Sequence, residues 1–348
     1  MNFMVNVTGI TGNTHFCFES VNKSCLKHVY LPTIRTPLYF IFVAIIVFTV
    51  FGNVFVIISI AHFRQLHTPT NFLVLSLAVA DLLLGGFVMP PSMVRSLETC
   101  WYYGDLFCKI HSSTDVMLST TSIFHLSFIS IDRYYAVCEP LKYKAKITVC
   151  VAVYMVVISW SVSAVIGFGM IFLKLNIKGK EYVYYENVYC VGGCTLIQTE
   201  ISSLICSLLA FYIPGFIMLG IYLNIFLVAR RQARAIEGLV SQSKSSEHSK
   251  TMTSSKTERK AAKALGIVMG VFLCCWTPYF LSVNLDPIFN YSTPPVLFDS
   301  LAWLGYLNST FNPLVYAFFY SWFRKALGMI VFGQIFQANS SRTKLTTD

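Results

Sequence analysis

The chain has 348 residues, 55% of them hydrophobic and only 12% charged, with a formal net charge of +10. A soluble domain carries about 25% charged residues, so a soluble globular protein is excluded and the composition places the chain in a membrane. The positive charge gathers between apolar runs and beside no nucleic-acid-binding module, so it reads as membrane topology.

Residues 1–36 are polar and lack the apolar core of a secretory signal, which makes the first apolar run the expected insertion anchor. Sequons at Asn6 (Asn-Val-Thr) and Asn22 (Asn-Lys-Ser) are glycosylation acceptors expected on the outer side. Seven apolar runs follow, roughly 37–61, 69–95, 105–138, 148–172, 199–230, 258–286 and 295–319. Each is long enough to cross a bilayer as a helix, which takes ~18 residues or more. The expected fold class is an all-α membrane protein, a seven-transmembrane-helix bundle over 37–320. A short amphipathic helix over 321–333 should lie on the inner membrane surface, followed by a cytoplasmic tail, 334–348. No repeat relates the two halves, which argues against an inverted-repeat transporter.

Eighteen of the 26 Lys and Arg fall at Arg64, from Arg133 to Lys146, from Arg230 to Lys263, and from Arg324 onward. That set should face the cytoplasm, leaving the N-terminus extracellular and the C-terminus cytoplasmic. The inner loop 231–257 is rich in Ser, Thr and Lys and is expected to be flexible. Six of the eleven cysteines (Cys17, Cys25, Cys100, Cys108, Cys190 and Cys194) fall on the predicted outer side, where an even number implies three disulfides among fifteen pairings.

An ionisable residue inside a span is a functional hypothesis by default. Asp81 lies in LSLAVADLLLG of the second run, and the third carries Asp115 near its outer end and Asp132-Arg133 at its inner end. Asp115, Ser119 and Ser122 share one helix face. The steps from Asp115 to Arg133 cover about 27 Å, close to the hydrocarbon thickness. The last run reads NSTFNPLVYAFFYSWF over 308–323, with Asn308, Asn312 and Pro313 where an apolar helix should avoid them. No nucleophile–base pair or metal motif stands out, so enzymatic activity is not expected.

Asn53, LAVAD ending at Asp81, Asp132-Arg133-Tyr134, Trp160, Pro214, FLCCWTP (272–278) and NPLVY (312–316) occur one set per span. In that order they resemble the rhodopsin-like G-protein-coupled receptors. NSTFNPLVYAFFYSWF, HFRQLHTPTNFL (62–73) and CWYYGDLFCKIHSSTD (100–115) are similar to the trace amine-associated receptors among them. The resemblance implies that Asp115 pairs with a protonated ligand amine, a role its chemistry also supports, with Tyr306 hydrogen-bonding the carboxylate. Trp276, Tyr279, Phe280, Trp303 and Tyr306 offer aromatic walls that stack and make cation–π contacts. Ser119, Cys206, Ser207 and Ile197 join the expected pocket, with Arg95 and His111 near its mouth. Ala210 stands where catecholamine receptors carry a serine, which favours a small arylalkylamine with few ring hydroxyls.

The resemblance further implies a sodium ion held by Asp81, Ser122, Asn308 and Asn312; no other cofactor is expected. It implies a two-state switch in which Arg133, beside Asp132 and Tyr134, pairs with Glu258 when inactive. Ile123, Pro214 and Phe272 form its packing triad, Pro278 and Pro313 its hinges, and Tyr316 swings inward on activation. Its implied disulfides are Cys108–Cys194 and Cys17–Cys190, leaving Cys25–Cys100 as the third pair. The partners implied are a small amine, a heterotrimeric G protein of the stimulatory type that raises cyclic AMP, and membrane lipid, with no nucleic acid. Ser163 and Ser321 depart from prolines usual in the family. A serotonin- or histamine-type receptor, or one for aliphatic or polyamine odorants, is the alternative. An opsin is excluded because Tyr306 stands where its lysine would be.

Overall fold

The computed structural model describes residues 15–240 and 248–345, and the side chains of all of these but 187, 232, 233, 235–240 and 248–265. The first span, Pro32–His62, is apolar nearly all round, as a lipid-facing helix must be. Its buried residues Thr49, Asn53, Val56 and Ile60 recur every three or four positions and form the stripe that meets the bundle.

The second span starts at Pro69 behind Thr68, whose side chain accepts a hydrogen bond from the Asn71 amide. It opens into a π turn at Leu84–Val88 and continues as Met89–Glu98. Pro90 and Pro91 lack the N–H groups that would bond the carbonyls of Gly86 and Phe87, so the widened turn sits where regular bonding fails. The third span, Gly104–Cys138, packs against the second, fourth and fifth and is the hub of the bundle. The fourth, Val149–Phe172, approaches it closely at Gly167. A β-carbon there would fall 2.4 Å from the Ser113 carbonyl oxygen.

The fifth span begins at Glu200–Ser207, passes a π turn at Leu208–Tyr212 and runs on as Ile213–Val240, with Pro214 just beyond the turn. His248–Leu285 forms the sixth around Pro278 and Pro295–Phe319 the seventh around Pro313. Among the described residues five helices are long and apolar enough to cross a membrane on those grounds alone. The third and seventh are diluted by their own polar residues, which are buried inside the bundle.

The expected flexible loop 231–257 differs in the structure: the fifth helix continues to Val240 and the sixth is already formed at His248. RRQARAIE (230–237) is built from strong helix formers that carry the fifth helix onward; propensity does not account for the sixth helix's first turns, HSKTMTSS from His248. Beyond Tyr320, the amphipathic Ser321–Val331 buries Phe323 and Ala326. The tail folds back instead of trailing away. Leu345 packs with Phe63, Leu66 and Phe323, and its amide donates to Gln65 Oε1 at 2.8 Å.

At the N-terminal end of the bundle, His15–Phe16 pairs antiparallel with Leu26–Lys27. This hairpin corrects two of the three expected disulfides. Cys108–Cys194 is present, but the others are Cys17–Cys100 and Cys25–Cys190, in place of Cys17–Cys190 and Cys25–Cys100. The hairpin sets Cys17 beside Cys25, the Cys17 amide donating to the Cys25 carbonyl at 2.9 Å. The Cys25 amide then donates to the Val191 carbonyl at 3.0 Å, which brings Cys25 and not Cys17 to Cys190. Gly192, at φ +90, makes the crossing feasible: a β-carbon there would lie 2.8 Å from that of Cys17.

Candidate functional site

A cavity opens between the third, fifth, sixth and seventh spans, enclosing about 570 Å³ of atom-free space with its open mouth included. On one wall the third span presents Asp115, Ser119 and Ile123 at helical spacing. Tyr306 Oη donates to Asp115 Oδ2 at 2.6 Å, and Ser119 Oγ reaches Oδ1 at 3.4 Å. Among the described residues no Lys, Arg or His lies within ion-pair distance of Asp115 (4.0 Å). A carboxylate held by neutral donors in a low-dielectric wall keeps most of its attraction for an incoming cation.

The opposite wall is aromatic: Trp276, Tyr279 and Phe280 of the sixth span. Phe280 stacks on Phe211, centroids 4.6 Å apart, and Trp276 meets Tyr279 edge-on at 6.0 Å. Trp276 can lie flat against the seventh span because residue 305 is glycine; a β-carbon there would fall 2.7 Å from its ring. Cys206 and Ser207 close the fifth-span side. The Ser207 hydroxyl and the Trp276 indole N–H are buried without hydrogen-bond partners, an unusual cost unless a ligand or water meets them.

Four of the expected residues are not part of the cavity lining itself. Trp303 stacks on Phe42 at 4.0 Å and donates to Ser96 Oγ at 3.2 Å, between the first, second and seventh spans. His111 is buried against the second span, its Nε2 3.0 Å from the Val88 carbonyl. Arg95 pairs with Asp299 at 3.5 Å. Ile197 is buried outside the cavity lining and accepts a hydrogen bond from Asn176 on its carbonyl at 3.1 Å. Gln198, Val116, Thr120, Val283 and Ala302 line the cavity unforeseen; Ala302, one turn before Tyr306, and Val283, one turn after Tyr279, carried a spacing signal.

Toward the inner side, Asp81 accepts from Asn312 Nδ2 and Ser309 Oγ, both at 2.7 Å. Ser309 was missed, although it precedes Asn312 by three residues and so shares its face. Ser122 lies beside the Asp81 carboxylate, yet its hydroxyl, like both amide atoms of Asn308, has no well-formed hydrogen bond. Pro313 cannot donate to the Ser309 carbonyl four residues back, and Asn53 Nδ2 takes over that role at 3.2 Å. The two helices touch where Gly52 meets Pro313; a β-carbon at 52 would lie 3.0 Å from the ring.

Ile123 and Phe272 sit fully buried in the cluster beneath the cavity that Trp276 and Phe280 also join, and Pro214 is buried on the fifth span. At the inner end Arg133 Nε donates to Asp132 Oδ2 at 2.8 Å, and its Nη2 reaches Thr70. Asp132 also accepts from Thr70 at 2.9 Å and Tyr143 at 3.0 Å. Tyr134 packs beside Val137 and Ile225, and Tyr316 is buried against Phe323. The side chain of Glu258 lies outside the described residues, as does Asn6; Asn22 is exposed.

The helix bundle, with its buried carboxylates and its cavity between the spans, has the architecture of a membrane receptor. The chain belongs to the rhodopsin family of seven-transmembrane receptors, whose family pattern it matches over residues 52–316. It is 58% identical over 330 residues to trace amine-associated receptor 1 of Macaca mulatta, covering 95% of this chain and 98% of that one. To trace amine-associated receptor 1 of Homo sapiens it is 57% identical over 330 residues, 95% and 97% of the two chains. Against trace amine-associated receptor 4 of Rattus norvegicus the identity is 50% over 332 residues, 95% of each. The family is one of multi-pass membrane receptors and not of enzymes.

Proposed function

We propose that this receptor answers small protonated amines, arylethylamines above all, with Asp115 as the anchor of the ammonium group. The observation that carries the reading is a carboxylate that, among the described residues, is hydrogen-bonded by Tyr306 and Ser119 alone and faces an aromatic cavity. An ammonium–carboxylate pair at 4 Å is worth about 1 kcal/mol in water and about 4 kcal/mol at the effective dielectric of a protein surface. Stacking on Trp276, Tyr279 and Phe280 adds ~0.5–2 kcal/mol per ring. The trace amine-associated receptors that the chain resembles are named for such ligands.

In this reading the amine draws the third, sixth and seventh spans together and shifts a two-state equilibrium. Movement of Trp276 and the Ile123, Phe272 and Pro214 packing beneath it carries the change inward, with Pro278 and Pro313 as hinges. Arg133 then leaves its inactive-state partners, with Glu258 expected among them, Tyr316 moves into the core, and a groove opens for a heterotrimeric G protein. The stimulatory type, raising cyclic AMP, is the one proposed. The N-terminus, with Asn6 and Asn22 glycosylated, faces outward, and Ser321–Val331 rides on the inner leaflet.

The donor set beneath the pocket fits a sodium ion, a hard cation that takes oxygen ligands. Asp81, Ser122 and Asn308 would hold it, since the Ser122 hydroxyl and Asn308 amide have no well-formed hydrogen bonds to give up. Asn312, whose amide nitrogen donates to Asp81, would offer its Oδ1 as a fourth oxygen ligand. When bound, the ion neutralises Asp81 and favours the inactive packing.

The deciding test is a cyclic-AMP assay of wild type and Asp115→Ala against a panel of primary amines. Wild type should respond to simple arylethylamines, and the substitution should abolish that response at unchanged surface expression. Equal responses from both proteins would refute the anchor.

A further inference from the structure

Asp115 is not the sole carboxylate near the cavity. Asp299 stands seven residues before Tyr306 on the seventh span. Seven residues are close to two helical turns, so the two share a face about 10 Å apart along the axis. Ala302, one turn inward of Asp299, lines the cavity, and the neighbouring Phe298 meets the cavity residue Tyr279 edge-on at 5.5 Å. Asp299 is therefore a rim acid above the amine anchor. Its partner is Arg95 of the second span, 3.5 Å away and, like Asp299, largely covered. The guanidinium also lies within electrostatic reach of Asp115 and Tyr306.

The fixed charges over this path thus amount to two carboxylates and one guanidinium. Their sum matches one ammonium group and not two. We propose that Arg95 is a specificity-determining residue: by occupying Asp299 it keeps the receptor selective for monoamines. With Arg95 removed, Asp299 becomes a second ammonium site in line with Asp115, and the pocket favours extended diamines. Repulsion by Arg95 works in the same sense, since a second ammonium passing the rim meets a like charge. The inference rests on the reading of Asp115 as amine anchor and adds a charge-selective rim to it.

The test is competition binding on membranes from cells producing the full receptor. A labelled arylethylamine competes with the unlabelled compound and with a straight-chain diamine of seven methylenes. Arg95→Gln should raise diamine affinity relative to monoamine affinity by about tenfold, the scale of one desolvated charge pair. Arg95→Lys keeps the charge and should keep the wild-type ratio. Arg95→Gln combined with Asp299→Asn should lose the diamine gain, because the second anion is gone. Asp299→Asn alone leaves Arg95 unpaired above the pocket and should weaken monoamine binding several-fold. An unchanged ratio in Arg95→Gln, a gain that survives in the double variant, or unaltered monoamine binding in Asp299→Asn overturns the proposal. A wild type that binds neither amine overturns the anchor reading itself, and the proposal with it.

Discussion

Tyr306 shows how much a single hydroxyl can decide. Its Oη is the closest partner of Asp115, at 2.6 Å. A hydrogen bond to a charged group contributes about 1.5–3 kcal/mol, and this one also fixes which way the carboxylate points. Tyr306→Phe should therefore weaken the response to arylethylamines by about tenfold or more in a concentration–response curve, at unchanged surface expression. A shift of less than twofold would mean the hydroxyl does not orient the anchor. Asp115 and Ser119 stood out because their residue types are costly inside a span and recur at helical spacing, whereas Tyr306 came from the family resemblance. Trp303 was misplaced in the pocket for an equally physical reason. An aromatic three residues before Tyr306 points to a neighbouring position on the helix, and sequence spacing does not reveal that Phe42 offers a better stacking surface.

Proline placement governs the elements. The two π turns inside the spans occur next to prolines, at Pro90 and Pro91 in the second span and at Pro214 in the fifth; a third, Tyr184–Val188, lies outside the spans and has no proline beside it. In the seventh span the defect is repaired by another helix: the carbonyl freed by Pro313 accepts from Asn53. Asn53→Ala should then lower thermal stability by about 1–2 kcal/mol, since a buried acceptor loses its donor. In a Pro313→Ala background, where residue 313 supplies an N–H of its own, the same change should cost clearly less. Thermal unfolding of the four proteins in detergent gives the coupling; additive losses would show that Asn53 and Pro313 act independently. The sequence displayed both the asparagine and the proline but not their connection, which depends on two distant helices meeting at Gly52. Likewise, composition made 231–257 look like a loop, whereas the helix propensity of its first residues carries the fifth helix into it.

For the molecule as a whole, the bundle was readable from seven apolar runs and the distribution of Lys and Arg, because a bilayer permits so few architectures. The outer strap was not. Six cysteines show that disulfides exist, but pairing is set by a short hairpin and by Gly192, neither of which has a hydrophobic period to announce it. Peptide mapping of the unreduced protein should recover Cys17–Cys100, Cys25–Cys190 and Cys108–Cys194. Peptides joining Cys17 to Cys190 would contradict the hairpin placement. The strap ties Cys17 and Cys25 to Cys100 and Cys190 at the end of the bundle that also carries the Arg95–Asp299 pair.

The most direct measurement is a structure of the full receptor with an arylethylamine bound. The ammonium nitrogen should lie about 2.7–2.9 Å from an Asp115 carboxylate oxygen, the length of a charge-assisted hydrogen bond, with the ring against Trp276 and Phe280. An amine seated elsewhere, with Asp115 still held by Tyr306 and Ser119 and making no contact to the ammonium, would contradict the account.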